Sequence, residues 1–289
     1  MALTGTAVFG NTFCAAPRRT GITGLQLYSI RDDMTQDPEG SLTRLAEMGY
    51  KYVEHASYSD RKFYGYAPAE FRKILDGKGL NMISGHVEFV RSDWDTALND
   101  FSDRWKHTVE DAATCGQKYV VTPWLEESIR RNYDDFMTFM DLFNRCGELC
   151  NKWGMKFGYH NHDFEFSEKF NGESLFDIMM RSIDPGLVVV QLDTGNLYNG
   201  GAVARDVADR YPGRFEFVHL KDVVRTGEEG LFESTIIGEG VADVREVLTM
   251  IEESGGARVI VIEQEAYQGK TPMECARLNL EIMKKWGYR

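Results

Sequence analysis

The chain has 289 residues, 45 of them Asp or Glu against 33 Lys or Arg, for a formal net charge of −12. A surface of that sign repels phosphate backbones and anionic bilayers, which tells against nucleic acid or a membrane as partner. With 43% hydrophobic residues there is apolar material for one large core, and the five cysteines, odd in number and without CxxC spacing, encode neither a disulfide framework nor a zinc ribbon.

The first twenty residues, MALTGTAVFGNTFCAAPRRT, are small, apolar and aperiodic. They read either as the tail of a secretion signal with a cleavage region near Cys14 to Ala16, or as a disordered arm. The first reading implies a periplasmic protein and the second a cytoplasmic one. No other apolar run approaches the roughly 20 residues that a membrane span needs.

From residue 21 to 289 the pattern is regular and reads as one domain. Strand-like runs are GLQLYSI (24–30), KYVEHAS (51–57), NMISGHV (81–87), KYVVTPWL (118–125), MKFGYHNH (155–162), LVVVQLDTG (187–195), FEFVHLKDV (215–223) and RVIVIEQEA (258–266). Between them lie stretches with apolar residues at i, i+3 and i+4, such as APAEFRKILDGKG and VADVREVLTMIEESGG. In another of these, Cys146 and Cys150 share one helix face and read as core packing rather than a bridge. Strand and helix alternating eight times predict parallel strands with right-handed crossovers, an α/β (β/α)8 barrel. A doubly wound open sheet fits less well, because no GxGxxG or P-loop follows the first strand.

In such a barrel the chemistry lies at the C-terminal strand ends. Those ends carry Tyr28 and Arg31, then Glu54, His86 and Trp124, then His160, His162 and Glu165, and finally Asp193, His219, Lys221, Glu263 and Glu265. Residues two apart on a strand face the same side, so Asp193 follows Val189 and Gln191 inward, His219 follows Phe215 and Phe217, and Glu263 follows Val259 and Val261. Singly, each has an ordinary explanation: Asp193 as a cap, His219 as a bonded core histidine, Glu263 as half of an ion pair. Together on adjacent strands they predict a shared divalent-cation site, because carboxylates gathered there need a neutraliser.

The motifs YHNHDFEF, QLDTGN, HLKD, IGEGVAD and VIEQE resemble those of the sugar phosphate isomerase/epimerase family of xylose-isomerase-like TIM barrels, from GLQLYSIRDD to the C-terminus. The resemblance implies one divalent metal ion (Mn, Co, Zn or Mg) held at the ends of the fifth to eighth strands, with Asp193, His219 and Glu263 matching the last three ligands. The family's fifth-strand Glu is replaced here by His160, so either His160 binds the metal or Glu165 reaches back from the loop; Glu165 is preferred because it keeps an oxygen-rich shell. The family is related in fold to endonuclease IV, but Asn196 stands where that branch has a histidine.

A metal clamped to a sugar ketone makes proton abstraction at the adjacent carbon feasible. His162 is the first candidate base and Glu265 the second, His160 is the remaining catalytic candidate, and Lys221 could stabilise oxyanion charge or simply form an ion pair. Tyr28, Arg31, Glu54, His86 and Trp124 are candidates for the substrate wall, with Glu239 and Asp243 of IGEGVAD as further hydroxyl ligands or caps. The expected protein is therefore a metal-dependent isomerase, epimerase or lyase acting on a small-molecule keto sugar or 3-keto-glycoside. The rival readings are an inosose dehydratase-like enzyme and a sugar-binding barrel without catalysis; a homo-oligomer is compatible with the sequence.

Overall fold

The computed structural model describes residues 21–227 and 232–288, so the signal-like segment of residues 1–20 lies outside the described residues. Eight parallel strands close into a barrel: β1 (Ile22–Gln26), β2 (Tyr52–His55), β3 (Asn81–His86), β4 (Tyr119–Thr122), β5 (Lys156–His160), β6 (Val188–Asp193), β7 (Phe217–Leu220) and β8 (Val259–Ile262). Each pairs with the next in sequence, and β8 pairs with β1. β6 is buried along its whole length, as a parallel strand covered on both faces must be.

The outer layer holds the helices α1 (Pro38–Met48), α2 (Pro68–Lys78), α3 (Asp103–Thr114), α4 (Tyr133–Asn151), α5 (Leu175–Ser182), α6 (Ala204–Arg210), α7 (Val244–Glu253) and α8 (Pro272–Lys285). Their starts and stops follow local chemistry. Asn132 caps α4 by accepting from the backbone N–H groups of Asp134 and Asp135, and Thr271 and Glu274 form a reciprocal capping box at α8 with Pro272 in its first turn. Val244, Val247, Leu248 and Ile251 form the buried stripe of α7. Cys146 and Cys150 are free, buried thiols of α4 in the outer core.

Two apolar regions result. Between sheet and helices lies the large core that includes Phe71, Trp105, Phe143, Phe157 and Met179. Inside the barrel, Ile83, Val121, Val189, Phe217, Val259 and Val261 form a separate plug. Gly158 completes this plug by having no side chain: a Cβ there would stand 3.0 Å from Val121 Cγ2 and 3.3 Å from Val189 Cγ2. The inward parity expected for Val189, Phe217, Val259 and Val261 is thus observed, whereas Phe215 precedes β7 and packs outward near Phe176. The plug fills the barrel below, so polar inward residues gather above it at the C-terminal mouth.

The boundaries differ from expectation in two respects. β1 ends at Gln26, whose side-chain oxygen accepts from Tyr28 N and turns Leu27–Ile30 into a 3₁₀ helix. Small hairpins that the sequence does not announce follow β2 (Tyr58–Ser59 with Lys62–Phe63), β3 (Trp94–Asp95 with Asp100–Phe101), β5 (Lys169–Phe170 with Glu173–Ser174) and β7 (Asp222–Arg225 with Phe232–Thr235). Among the described residues no helix is long and apolar enough to cross a membrane.

Candidate functional site

Immediately above the plug lies a fully hydrogen-bonded polar layer. Glu54, 0% exposed, accepts from Gln26 Nε2 (2.7 Å), Gln191 Nε2 (2.7 Å) and Ser84 Oγ, and its Oε1 also meets His219 Nε2 at 2.6 Å and His86 Nε2 at 3.0 Å. Burial pushes this carboxylate up, but the two imidazoles overcome it and hold Glu54 well below the usual carboxylate range. Gln191 Oε1 in turn meets His86 Nε2 at 2.8 Å and His160 Nδ1 at 2.9 Å.

This layer orients the one above. With Nδ1 of His160 bonded to Gln191 and Nε2 of His219 bonded to Glu54, the opposite ring nitrogens turn toward Asp193: His160 Nε2 and His219 Nδ1 each lie 3.9 Å from Asp193 Oδ2. His219 Nδ1 is also 3.4 Å from Glu263 Oε2. One donor atom from each of His160, Asp193, His219 and Glu263 falls within 4.8 Å of all the others. His86, His160 and His219 also satisfy that spacing, but the four-residue group alone includes carboxylates to balance a cation's charge.

Asp193 divides its two oxygens. Oδ1 accepts from Asn196 N at 2.7 Å and caps the short helix Thr194–Asn199, so the capping role does hold. Oδ2 is buried and makes no hydrogen bond; Lys221 Nζ stands 3.2 Å away, near enough to attract but not aligned to donate. An unbonded buried carboxylate oxygen facing two imidazole nitrogens and a second carboxylate fits a divalent metal ion. Each histidine of the set also bonds through its other ring nitrogen, His160 to Gln191 and His219 to Glu54, which fixes how the ring faces a cation.

The fifth-strand residue in this group is His160, and Glu165, the preferred ligand on the sequence, lies outside it. Glu165 is 0% exposed, but its carboxylate accepts from the Tyr159 hydroxyl and, at 2.7 Å, from the backbone N–H of His162. Tyr159 belongs to the outward-facing series of β5 and packs on Phe143 of α4, so its hydroxyl holds Glu165 on the helix side of the strand. Burial there raises the Glu165 pKa to about 8.

A cavity of about 330 Å3 opens above the cluster, lined in part by His160, Lys221, Glu263 and Glu265, with His86, His162, Tyr28 and Trp124 forming the remaining walls that matter here. The Lys221 ammonium lies 2.7 Å from Glu263 Oε2 and 2.7 Å from Glu265 Oε1. Burial alone would lower its pKa, but Asp193, Glu263 and Glu265 together raise it well above the usual lysine range, so it is a fixed positive charge. Its partners are these three and not Asp222, whose carboxylate accepts the backbone N–H groups of Gly238, Gly240 and Ala242 and shapes the IGEGVAD loop. Glu239 and Asp243 do not line the mouth cavity.

His162 stands edge-on to Trp124 with ring centroids 4.9 Å apart, and its Nδ1 is enclosed without a partner. Burial, assisted by Lys221, lowers its pKa to about 3 and keeps the imidazole neutral. His219 behaves oppositely: burial works against its charge, but Glu54 and Glu263 raise its pKa to about 10. Asp193 is pushed up to about 6 by burial.

Of the expected substrate wall, Tyr28, His86 and Trp124 do line the cavity. Glu54 lies beneath it, 0% exposed, and acts on the histidines. Arg31 lies beside it, donating to Tyr267 Oη (2.8 Å) and the Glu265 carbonyl (3.3 Å). Gln191, Gln26 and Ser84, to which the sequence assigns no site role, complete the layer around Glu54. For Gln191 the signal was present: it is a polar residue with the same inward parity as Asp193.

A closed eight-stranded parallel barrel with histidines and carboxylates collected at its C-terminal mouth defines a (β/α)8 protein with its candidate site at the usual end of the fold. The chain belongs to the xylose isomerase-like TIM barrel family, whose model matches residues 42–286. It is 26% identical to the inosose dehydratase of Geobacillus kaustophilus (strain HTA426) over 283 aligned residues, covering 86% of this chain and 88% of the relative. A sugar phosphate isomerase/epimerase from Parabacteroides distasonis ATCC 8503 superposes with a TM-score of 0.75 at 25% identity, covering 93% of this chain and 96% of the other. The IolI protein, solved with a binding zinc atom, superposes with a TM-score of 0.70 over 92% of this chain and 97% of its own; at 14% identity that likeness concerns the fold.

Proposed function

We propose that this protein is a divalent-metal-dependent enzyme that removes a proton from the carbon beside the ketone of a keto sugar or keto-glycoside. The observation that carries this reading is the convergence of His160, Asp193, His219 and Glu263 within 4.8 Å at the edge of a cavity that His162 also lines. The family's sugar isomerase/epimerase and dehydratase members support it. A divalent cation held by those four residues would supply Lewis acidity at a sugar carbonyl.

The protein's own groups provide the rest. Neutral His162, which lines the cavity, is the residue proposed to take the proton. The Lys221 ammonium lies where negative charge on a sugar oxygen would be stabilised. Tyr28 and Trp124, each 41% exposed, offer aromatic faces to sugar C–H groups. Returning the proton to another face or carbon gives epimerisation or isomerisation; expelling the group on the next carbon gives a lyase.

The test is NMR in D2O with ketoses and keto-glycosides. Deuterium entering the position beside the ketone, abolished by EDTA and restored by manganese or cobalt, is expected; no exchange with any substrate would leave a sugar-binding barrel as the better description. The similarity to an inosose dehydratase favours a second reading within the same chemistry, in which the abstracted proton and a hydroxide from the adjacent carbon leave as water. Appearance of a conjugated enone in the ultraviolet separates that outcome from epimerisation.

A further inference from the structure

A second cavity, of about 350 Å3, adjoins the mouth and shares Tyr28 and Ala56 with it. Its character is different. Where the mouth is lined by imidazoles, carboxylates and an ammonium, this cavity presents Tyr28, Pro38 and Tyr64 over the buried Leu27 and Met34, with Thr35, Ser57 and the Arg31 guanidinium at its sides. Both walls that it shares with the mouth are fixed by local bonds. Tyr64 Oη accepts from Ala56 N at 3.0 Å, a contact made with Tyr64 itself in the left-handed region at φ 49°. The Arg31 guanidinium lies 4.7 Å from the Tyr28 ring centre and is tied to Tyr267 Oη, so Tyr28 is backed by a cation and anchored to the loop after β8.

We infer that this cavity is a second subsite, one that takes a flat apolar aglycone joined to the sugar in the mouth. The mouth alone, at about 330 Å3, is at the lower end of ligand pockets and suits one sugar ring. A free keto sugar would leave the open faces of Tyr28, Pro38 and Tyr64 beside the mouth without a partner, whereas an aryl glycoside would cover them with its ring. The substrate class is therefore a glycoside rather than a free monosaccharide. The inference rests on the proposed function only for the position of the sugar ring.

The test reads binding so that it does not depend on turnover. Titration calorimetry of the manganese-loaded protein compares 4-nitrophenyl glucoside with methyl glucoside, and repeats both with Thr35→Trp and Ser57→Trp, two exposed positions lining the second cavity. The aryl glycoside is expected to bind about tenfold more tightly in the wild type, the scale of one well-packed aromatic contact. Filling the cavity is expected to reduce that preference to within about twofold in at least one variant. Equal affinity for the two glycosides in the wild type, or a preference untouched in both correctly folded variants, overturns the subsite. Absence of deuterium exchange with every ketone would instead count against the proposed chemistry while this preference still stood.

Discussion

Glu54 Oε1 and His219 Nε2 lie 2.6 Å apart at the base of the mouth, above the plug, joining β2 to β7 across the interior. The carboxylate turns the imidazole so that Nδ1 faces Asp193 and Glu263, and it makes the ring a stronger donor. Glu54→Gln is expected to weaken metal binding by roughly 10- to 100-fold while the helical circular dichroism is retained. Competition against a chromophoric chelator measures this; an affinity within twofold of the wild type would mean that the contact has no influence on the site.

His160 and Glu165 make opposite predictions for metal content. Elemental analysis after purification in manganese should find little metal in His160→Ala, because one of four donors is gone. Glu165→Gln should retain it, since its carboxylate bonds to Tyr159 and the His162 backbone. The reverse result would return Glu165 to the ligand set.

Glu165 also gives the stability of the protein a pH dependence of known sign. Its folded pKa of about 8 lies above the ordinary 4.5, so between these values the folded form holds a proton that the unfolded form has released. This group's contribution is therefore fully present below about pH 4.5, declines as pH rises, and is lost above about pH 8. The size is on the order of 4 to 5 kcal/mol from the shift. Urea denaturation at pH 6 and pH 9 should show the wild type losing more stability than Glu165→Gln over that interval; parallel losses would contradict the assignment.

Lys221 neutralises carboxylates that also face the candidate metal position. Lys221→Met removes an ammonium 3.2 Å from Asp193 Oδ2 and 2.7 Å from Glu263 Oε2. Repulsion between such an ammonium and a divalent cation amounts to several kcal/mol at short range even in a medium of moderate dielectric. Manganese is thus expected to bind the variant at least about tenfold more tightly, and deuterium exchange into a keto sugar is expected to slow. Weaker manganese binding would show that Lys221 supports the metal site instead of opposing it.

Much of the barrel was legible because strand and helix periods alternate without interruption and because inward parity ends in Asp193, His219 and Glu263 on neighbouring strands. The position of Glu165 was not, since five residues beyond a strand end the loop can turn either way, and the outward Tyr159 hydroxyl decides the direction. Glu54 could be found at a strand end, but its depth depends on how far the apolar plug rises, which no single strand reveals. Gln191 carries no charge to attract notice, yet its amide is what relates Glu54 to both His86 and His160. The four hairpins after β2, β3, β5 and β7 are too short to show periodicity.

The two oxygens of Asp193 have a consequence for how the site is assembled. Because Oδ1 is occupied by the first turn of the helix that follows β6, the carboxylate's rotamer is chosen when the chain folds and before any cation arrives. The entropy of ordering that ligand is charged to folding, so binding need not supply it. Neither a longer glutamate nor a histidine could serve both ends at this position, and even Asn, whose one oxygen would keep the cap, would turn an amide nitrogen toward the cation.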